Sequence, residues 1–160
     1  MLHNVVCLSR STVTAFPHVI KYLENIYAKD RYTHYSTCFY RNVAFTVHHS
    51  THTQVDNSAV IYFDHFNNLH IGIIIGIIQL KTTKDIIFII DQAEIVGLDT
   101  FSLDQIEYVN DFLVSAKHSN PPTILSINYK SIKEKVAYRK DPKVKTSTEF
   151  YTFPNLVEDS

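Results

Sequence analysis

An apolar stretch rich in isoleucine dominates the middle of the chain, from Leu69 to Asp91. Its uncharged run "IGIIIGIIQL" is short, and the polar "KTTKD" follows it directly. A membrane-spanning helix needs about 20 consecutive apolar residues, so this run is too short to cross a bilayer. Isoleucine is β-branched and favours a pleated sheet. The pattern therefore predicts two strands, Leu69–Leu80 and Asp85–Ile95, joined by a polar turn.

Both predicted strands are apolar at consecutive positions, which indicates that both of their faces are covered. Such strands are typical of the centre of a sheet or of a tightly curled barrel. Gly72 and Gly76 are four positions apart, so a regular strand would place them on one face. Glycine inside a strand indicates a bend, a bulge or a close approach of another backbone.

The flanking stretches predict one helix and further strands. Apolar residues recur at helical spacing from Val19 to Tyr27, and Pro17 suits a first turn, so we expect a helix over about 17–29. Aromatic and β-branched residues predict a strand over about 37–48. Shorter strands are expected in "SAVIYFD", "TILSINY", "KVAYRK" and "TEFYTF", with a turn at "HFNN". In all we expect about seven strands and one or two helices.

The segment from Ser102 to Pro122 allows two interpretations. Ser102 and Gln105 have the spacing of a capping box, and apolar residues continue at helical spacing to Leu113, which favours a helix near 103–117 and an α+β domain. The same residues alternatively form a strand that stops at Pro121–Pro122, which makes the domain mainly β.

Composition narrows the class of protein. A chain of 160 residues suits one domain. It has three glycines, against roughly 11 in an average chain of this length, which argues against glycine-rich phosphate loops. The two cysteines form neither a disulfide framework nor a metal-ligand spacing. Together with an N-terminus that has no long apolar signal core, this makes an intracellular setting, nuclear or cytoplasmic, the default.

The motifs that could carry catalysis are incomplete. "DIIFIIDQAE" places Asp91 after an apolar strand, as in nucleotide hydrolases, but the sequence has no G-x-x-x-x-G-K-[ST] loop to hold phosphates. "HHSTHT" places His48 and His52 four positions apart, without a further ligand at zinc-site spacing. We therefore expect a protein that is not an enzyme and that has no cofactor and no metal site.

Charge is distributed unevenly along a chain whose formal net charge is −1. The segment 85–111 has seven acidic residues and no Lys or Arg. The segment 128–145, "NYKSIKEKVAYRKDPKVK", has seven basic residues with two tyrosines among them. Cations neutralise phosphates and aromatic rings stack on bases, whereas solvated lysine-rich turns are the ordinary alternative. The candidate residues for binding a partner or nucleic acid are Tyr129, Lys130, Lys133, Lys135, Tyr138, Arg139, Lys140, Lys143 and Lys145.

Three stretches follow one another in an order that resembles a known pattern: "CFYRNVAFTV", then "NSAVIYFDHFNNLHIGIIIGII", then "SIKEKVAYRK" with a closing "FYTFPNLVED". The pattern resembles the β-rich C-terminal region of uncharacterised, transposon-associated proteins from invertebrates, over roughly residues 37–159. The matching residues are Asn57, Ser58, Val60, Gly72, Ile132, Lys135, Pro154, Asn155 and Glu158.

The resemblance implies a small barrel of the SH3-like or bromo-adjacent-homology-like type, a class that usually binds chromatin proteins or other partners. It favours strands over a helix after Gly97. It does not extend to a transposase catalytic domain. An aromatic cage for methylated lysine needs several rings around the cation, and no such cage is identified in the sequence. Tyr40, Phe45, Tyr62 and Phe63 are candidates by composition only, since alternation places Tyr62 and Phe63 on opposite faces, and we expect several of these rings in the core.

We therefore expect a mainly β single domain over 1–160, with a helical N-terminal flank over about 1–36 and a β-rich core over about 37–159. The expected function is that of a non-catalytic interaction module, derived from a mobile element, which binds a protein partner through the acidic or the basic segment. The alternative is a nucleic-acid-binding accessory domain that uses 128–145. No membrane partner is expected, and the sequence leaves the oligomeric state open.

Overall fold

The computed structural model describes residues 5–10, 16–28, 31–48, 58–140 and 147–151. Within them the chain is mainly β, as expected, and the alternative helix near 103–117 is wrong because those residues are strands. A 3₁₀ turn, Tyr129–Ser131, joins the strands Ile106–Asn128 and Ile132–Lys135. The elements are β1 (Val5–Arg10), α1 (Pro17–Ile26), β2 (Tyr32–Tyr40), β3 (Val43–Thr46), β4 (Ala59–Phe63), β5 (Leu69–Leu80), β6 (Ile86–Leu103), β7 (Ile106–Asn128), β8 (Ile132–Lys135), β9 (Ala137–Lys140) and β10 (Ser147–Tyr151).

The isoleucine-rich strand β5 is the centre of one antiparallel sheet. β6 pairs with one edge of β5 over 71–79. The other edge is shared, since β4 pairs with residues 69–73 and β2 with residues 77–80. The sheet continues from β6 through β7 and β10 to β9, while β8 pairs with β4 and both β1 and β3 pair with β2. Because side chains from β2 through β8 meet in one apolar cluster, the sheet curls into a nearly closed barrel.

Two apolar clusters lie on opposite faces of the sheet and account for the unbroken apolar pattern of β5. The outer cluster includes Val19 and Leu23 of α1, which pack with alternate residues of β5 such as Ile73. The inner cluster includes Phe45, Phe88 and other side chains from the concave face. Every residue of 71–78 is buried, which confirms that β5 is covered on both faces. Within the described residues, no helix is long and apolar enough to cross a membrane.

A β-bulge in β5 separates the two glycines. Ile74 pairs with Ile90 and Gly76 with Ile89, so Ile75 is an extra residue that shifts the alternation by one position. A Cβ on Gly72 would lie 2.4 Å from Cγ2 of Ile90, in the inner cluster. A Cβ on Gly76 would lie 3.3 Å from Cγ1 of Val19, in the outer cluster. The expected bulge and close approach are confirmed, but the expectation that both glycines share one face is wrong.

The first half of the sheet differs from the predicted bounds. The strand expected over 37–48 is two strands, separated by Arg41 and Asn42, whose φ angles are 52° and 63°. Positive φ at both central residues makes a two-residue hairpin turn that matches the twist of the sheet. β1 pairs with β2, so the sheet begins within the first 36 residues, where only a helical flank was expected.

A long hairpin replaces the ambiguous segment. Leu103 pairs with Ile106 across Asp104 and Gln105, whose φ angles are 53° and 67°. β7 then runs through the two prolines instead of ending there, but its pairing with β6 jumps from His118 to Thr123. Residues 119–122 therefore bulge out of the ladder, as expected where proline offers no backbone donor.

Candidate functional site

The basic segment is divided among several elements. Tyr129 and Lys130 lie in the 3₁₀ turn, Lys133 and Lys135 in β8, and Tyr138 in β9. The backbone of β9 places Arg139 opposite Glu149 and Lys140 opposite Thr148 of β10. Lys143 and Lys145 lie outside the described residues. The predicted set is therefore spread over the 3₁₀ turn, β8 and β9 in the part that the structure describes.

Tyr129 and Lys130 form a compact cluster with residues of the β2–β3 turn. The rings of Tyr40 and Tyr129 are edge to face, with centroids 5.0 Å apart and planes at 86°. The guanidinium carbon of Arg41 lies 5.0 Å from the Tyr40 centroid, and Nζ of Lys130 lies 5.8 Å from that of Tyr129. We call these four residues the tyrosine–cation cluster. Sequence reasoning missed Arg41, since its only local signal is the turn with Asn42.

The remaining side chains of the basic segment have other surroundings. Lys133 is exposed. Lys135 is partly buried, and this burial lowers its pKa. The hydroxyl of Tyr138 is 2.8 Å from Nδ1 of His48, and its ring packs against the outer cluster. Tyr138 therefore supports the fold on the opposite face from Tyr129, which packs against the inner cluster.

The four rings considered for an aromatic cage do not form one. Phe45 and Tyr62 are 3% and 1% exposed, so both belong to the core. The hydroxyl of Tyr62 donates a 2.6 Å hydrogen bond to Oε1 of Gln92, and burial raises the pKa of Tyr62. Tyr40 already has Arg41 over its ring. The composition of these strands therefore reflects core packing.

Asp64 organises the β4–β5 turn. Its Oδ1 accepts hydrogen bonds from the backbone N–H groups of Phe66 and Asn68. Its Oδ2 is 2.8 Å from Nε2 of His70. These contacts, first of all the one with His70, lower the pKa of Asp64 to about 2. Around this turn, Phe63, Phe66 and Leu69 form an exposed apolar group, with Phe66 84% exposed.

The candidate metal ligands are dispersed over the described part of the chain. Asp91 lies in the middle of β6, opposite Ile73 and Ile124, and not after the end of a strand. Its Oδ1 is 3.6 Å from Nδ1 of His118. Among the described residues, no group of three His, Cys, Asp or Glu side chains is placed to hold a metal ion. His52, the proposed partner of His48, lies outside the described residues.

The far part of the β6–β7 hairpin, residues 94–112, is the second candidate surface, and we call it the ribbon. β5 pairs with β6 as far as Ala93, and β10 pairs with β7 from Leu113 onwards. Between these limits β6 and β7 pair only with each other among the described strands. Residues 94–98 of β6 still pair with the part of β7 that β10 flanks, so the hairpin extends beyond both neighbours only over 99–110, roughly 20 Å.

The ribbon exposes apolar side chains next to acidic ones. Ile95 and Val96 are 50% and 58% exposed, and at the tip Leu103 and Ile106 are 59% and 56% exposed. Val96 is the extra residue of a β-bulge between Ile95 and Gly97. The described carboxylates are those of Glu94, Asp104 and Glu107, all exposed. In sequence the ribbon has five acidic residues and no Lys, Arg or His.

Comparisons with known proteins add no relative. No family model, no curated protein and no solved structure matches the chain. The two candidate surfaces of the described chain are the ribbon and the tyrosine–cation cluster.

Proposed function

We propose that the protein is a non-catalytic interaction module whose ribbon binds an extended, basic segment of a protein partner. The observation that carries the proposal is the exposure of Leu103 and Ile106 at the two-stranded tip of the ribbon and of Ile95 and Val96 along the unpaired edge of β6. An isolated two-stranded hairpin is marginally stable in water and gains stability from a third strand or a packed surface. A partner that covers these side chains supplies that support.

The charge of the ribbon selects the chemistry of the partner. Glu94, Asp104 and Glu107 are exposed and adjoin Ile95, Leu103 and Ile106 in the sequence. Opposite charges across an interface steer the encounter and exclude like-charged partners. Two ribbons from two copies of this chain would bring carboxylates together, which disfavours a symmetric dimer through this surface. A segment that alternates basic and apolar residues matches both properties of the ribbon.

The ribbon also offers free edges for pairing. Among the described strands, neither the outer edge of β6 over 94–103 nor that of β7 over 106–112 has a partner. An extended peptide can add to such an edge through main-chain hydrogen bonds, while alternate side chains provide specificity. The proposed mode of binding is therefore strand addition.

The proposal also covers the class of barrel, the origin and the location of the protein. A nearly closed barrel-like sheet is the general form expected from the resemblance to SH3-like and bromo-adjacent-homology-like barrels. We extend the proposal to an origin in a mobile element and to a nuclear or cytoplasmic location. The ordered motifs around Val60, Gly72 and Lys135 support that origin, by analogy between folds.

The proposal is tested with a labelled peptide of alternating Lys and Val, about ten residues long so that it spans the ribbon at roughly 3.3 Å per residue. Fluorescence anisotropy is expected to show binding that weakens as salt is added. A peptide of alternating Glu and Val is expected not to bind. The double substitution Leu103→Lys with Ile106→Lys should weaken binding by at least about tenfold, because it removes apolar contacts and adds like charge.

A matched control uses the other exposed apolar group. Phe66→Lys with Leu69→Lys makes the same kind of change on the β4–β5 turn and should leave peptide binding unchanged. Equal loss in both double variants would refute the ribbon as the site. Equal binding of both peptides would refute the role of its charge.

A further inference from the structure

The tyrosine–cation cluster joins two elements that are far apart in the sequence. Tyr40 ends β2, and Arg41 begins the two-residue turn that follows it. Tyr129 and Lys130 lie in the 3₁₀ turn, whose first residues are fixed by a hydrogen bond from the Lys130 N–H to Oδ1 of Asn128. Both rings pack on one side against the inner cluster. The fold thus holds both rings in place while Arg41 and Lys130 stay exposed.

The charge of this cluster selects an anionic ligand. A cation already lies over each ring, which disfavours a cationic ligand such as a methylated lysine. Within the described residues, neither Arg41 nor Lys130 forms an ion pair with a carboxylate. Two cations beside two rings are suited to a ligand that has both negative charge and flat aromatic groups. Nucleic acids have both, as phosphates and bases.

We propose that the tyrosine–cation cluster is a binding site for single-stranded nucleic acid, in which bases stack on Tyr40 and Tyr129 and phosphates pair with Arg41 and Lys130. In a duplex the base faces are stacked against their neighbours, so the rings favour an unpaired strand. The long stems of Arg41 and Lys130 allow the cations to move from the ring faces to the phosphates. Single-stranded DNA and RNA share this chemistry.

The test uses two labelled oligonucleotides of about 16 nucleotides, the upper end of the site size of one small binding domain. One is oligothymidylate, the other is oligouridylate, and a duplex DNA of the same length is the comparison. The 160-residue chain is expected to bind both single strands more tightly than the duplex. Equal affinity for the two indicates recognition of bases and phosphates alone, whereas tighter binding of the RNA assigns a contact to its 2′-hydroxyl groups.

Two charge variants locate the site. Arg41→Asn removes the cation and suits the positive φ of this position, since asparagine tolerates that conformation. Combined with Lys130→Gln, it should make the log–log salt slope shallower by about 0.7 for each cation removed. Lys133→Gln is the matched control for Lys130→Gln alone, because each removes one exposed lysine of the same segment and Lys133 lies outside the cluster.

A ring variant tests stacking. Tyr129→Leu should weaken binding by between about fivefold and about 150-fold, the range for loss of one stacked base, while Tyr129→Phe should bind like the original protein. Circular dichroism checks that each variant is folded.

Three results would overturn the proposal. They are no binding to either single strand at low salt, duplex affinity as high as that of the single strands, and a loss in Lys133→Gln that equals the loss in Lys130→Gln. If Tyr129→Leu proves unfolded, the charge variants still decide the outcome, since both replaced side chains lie at the surface.

Discussion

The two glycines of β5 give a sharp test of the packing, because one substitution is expected to have different effects at two sites on one strand. Neither glycine has a positive φ, so alanine fits the backbone at both positions. Replacing glycine by alanine under such conditions stabilises a protein by about 0.4–1 kcal/mol, through the lower entropy of the unfolded chain. The difference between the sites then depends on what the new methyl group contacts.

At Gly72 the new Cβ would lie 2.4 Å from Cγ2 of Ile90 and 2.8 Å from the backbone oxygen of Asp91. The side chain of Ile90 is fully buried, and the second contact is with backbone, so neither can move freely. Overpacking of this kind costs about 1–3 kcal/mol. After the entropy gain is subtracted, Gly72→Ala should lower the free energy of unfolding by about 1–2 kcal/mol.

At Gly76 the nearest atoms are side-chain atoms of Ile89 and Val19, at 3.2–3.3 Å. A shift of a few tenths of an ångström relieves these contacts, so Gly76→Ala should remain within about 0.5 kcal/mol of the original protein. Urea unfolding followed by circular dichroism measures both variants. Gly72→Ala should also lower Tm by about 3–6 °C, given the size of the chain. Equal stability of the two variants, or a larger loss at Gly76, would refute the placement of the bulge.

Two further predictions concern the β4–β5 turn and the β1–β2 pair. The contact with His70, and after it the backbone hydrogen bonds, lower the pKa of Asp64 from 3.8 to about 2. The ionised Asp64 carboxylate therefore contributes fully to stability above about pH 4, and this contribution is lost as the pH falls towards about 2. The urea midpoints of the original protein and of Asp64→Asn should therefore differ near neutral pH and converge in acid, and a gap that persists unchanged at about pH 2 would contradict this. Cys7 lies directly opposite Cys38 across β1 and β2, where Cα atoms are about 4.5–5.5 Å apart, within the range of a disulfide. Treatment with the oxidant diamide should therefore link Cys7 to Cys38. The measurement is the intact mass after alkylation, in which a linked pair takes up no alkyl groups, and Cys7→Ser is the control. Two alkylated thiols after oxidation would show that the register is wrong.

The isoleucine-rich hairpin was readable from the sequence because its signal is local. The density of β-branched residues and the polar "KTTKD" turn predict the bounds of β5, Leu69–Leu80, as the structure has them. The turn at "HFNN" is also local, and the structure places the β4–β5 turn there. The face of the sheet on which each residue after Ile74 lies could not be predicted, because the bulge at Ile75 depends on the pairing of β5 with Ile89 and Ile90.

In the ribbon, the helical spacing of apolar residues does not predict the secondary structure, because these residues form strands. The spacing of Ser102 and Gln105 suits a capping box, but the same residues surround a two-residue hairpin turn. Cross-strand pairing decides between the two, as in the pair of Phe101 with Tyr108. The exposure of Leu103 and Ile106 could not be read from the sequence, because it depends on where β5 and β10 stop pairing.

The tyrosine–cation cluster was only half predictable. Tyr129 and Lys130 were among the candidates because they lie in a basic, tyrosine-containing segment. Tyr40 and Arg41 join them only because the curled sheet brings the β2–β3 turn to the 3₁₀ turn. A contact of this kind has no periodic or compositional signal in a single sequence.

Hydrogen–deuterium exchange, with and without the Lys–Val peptide, tests most directly whether the ribbon is the binding surface. Strand addition gives the backbone N–H groups of an unpaired edge a partner, and their exchange slows. We expect slower exchange within 94–112 and unchanged exchange in α1 and the β4–β5 turn. Slower exchange at the β4–β5 turn or in 128–140, with the ribbon unchanged, would contradict it.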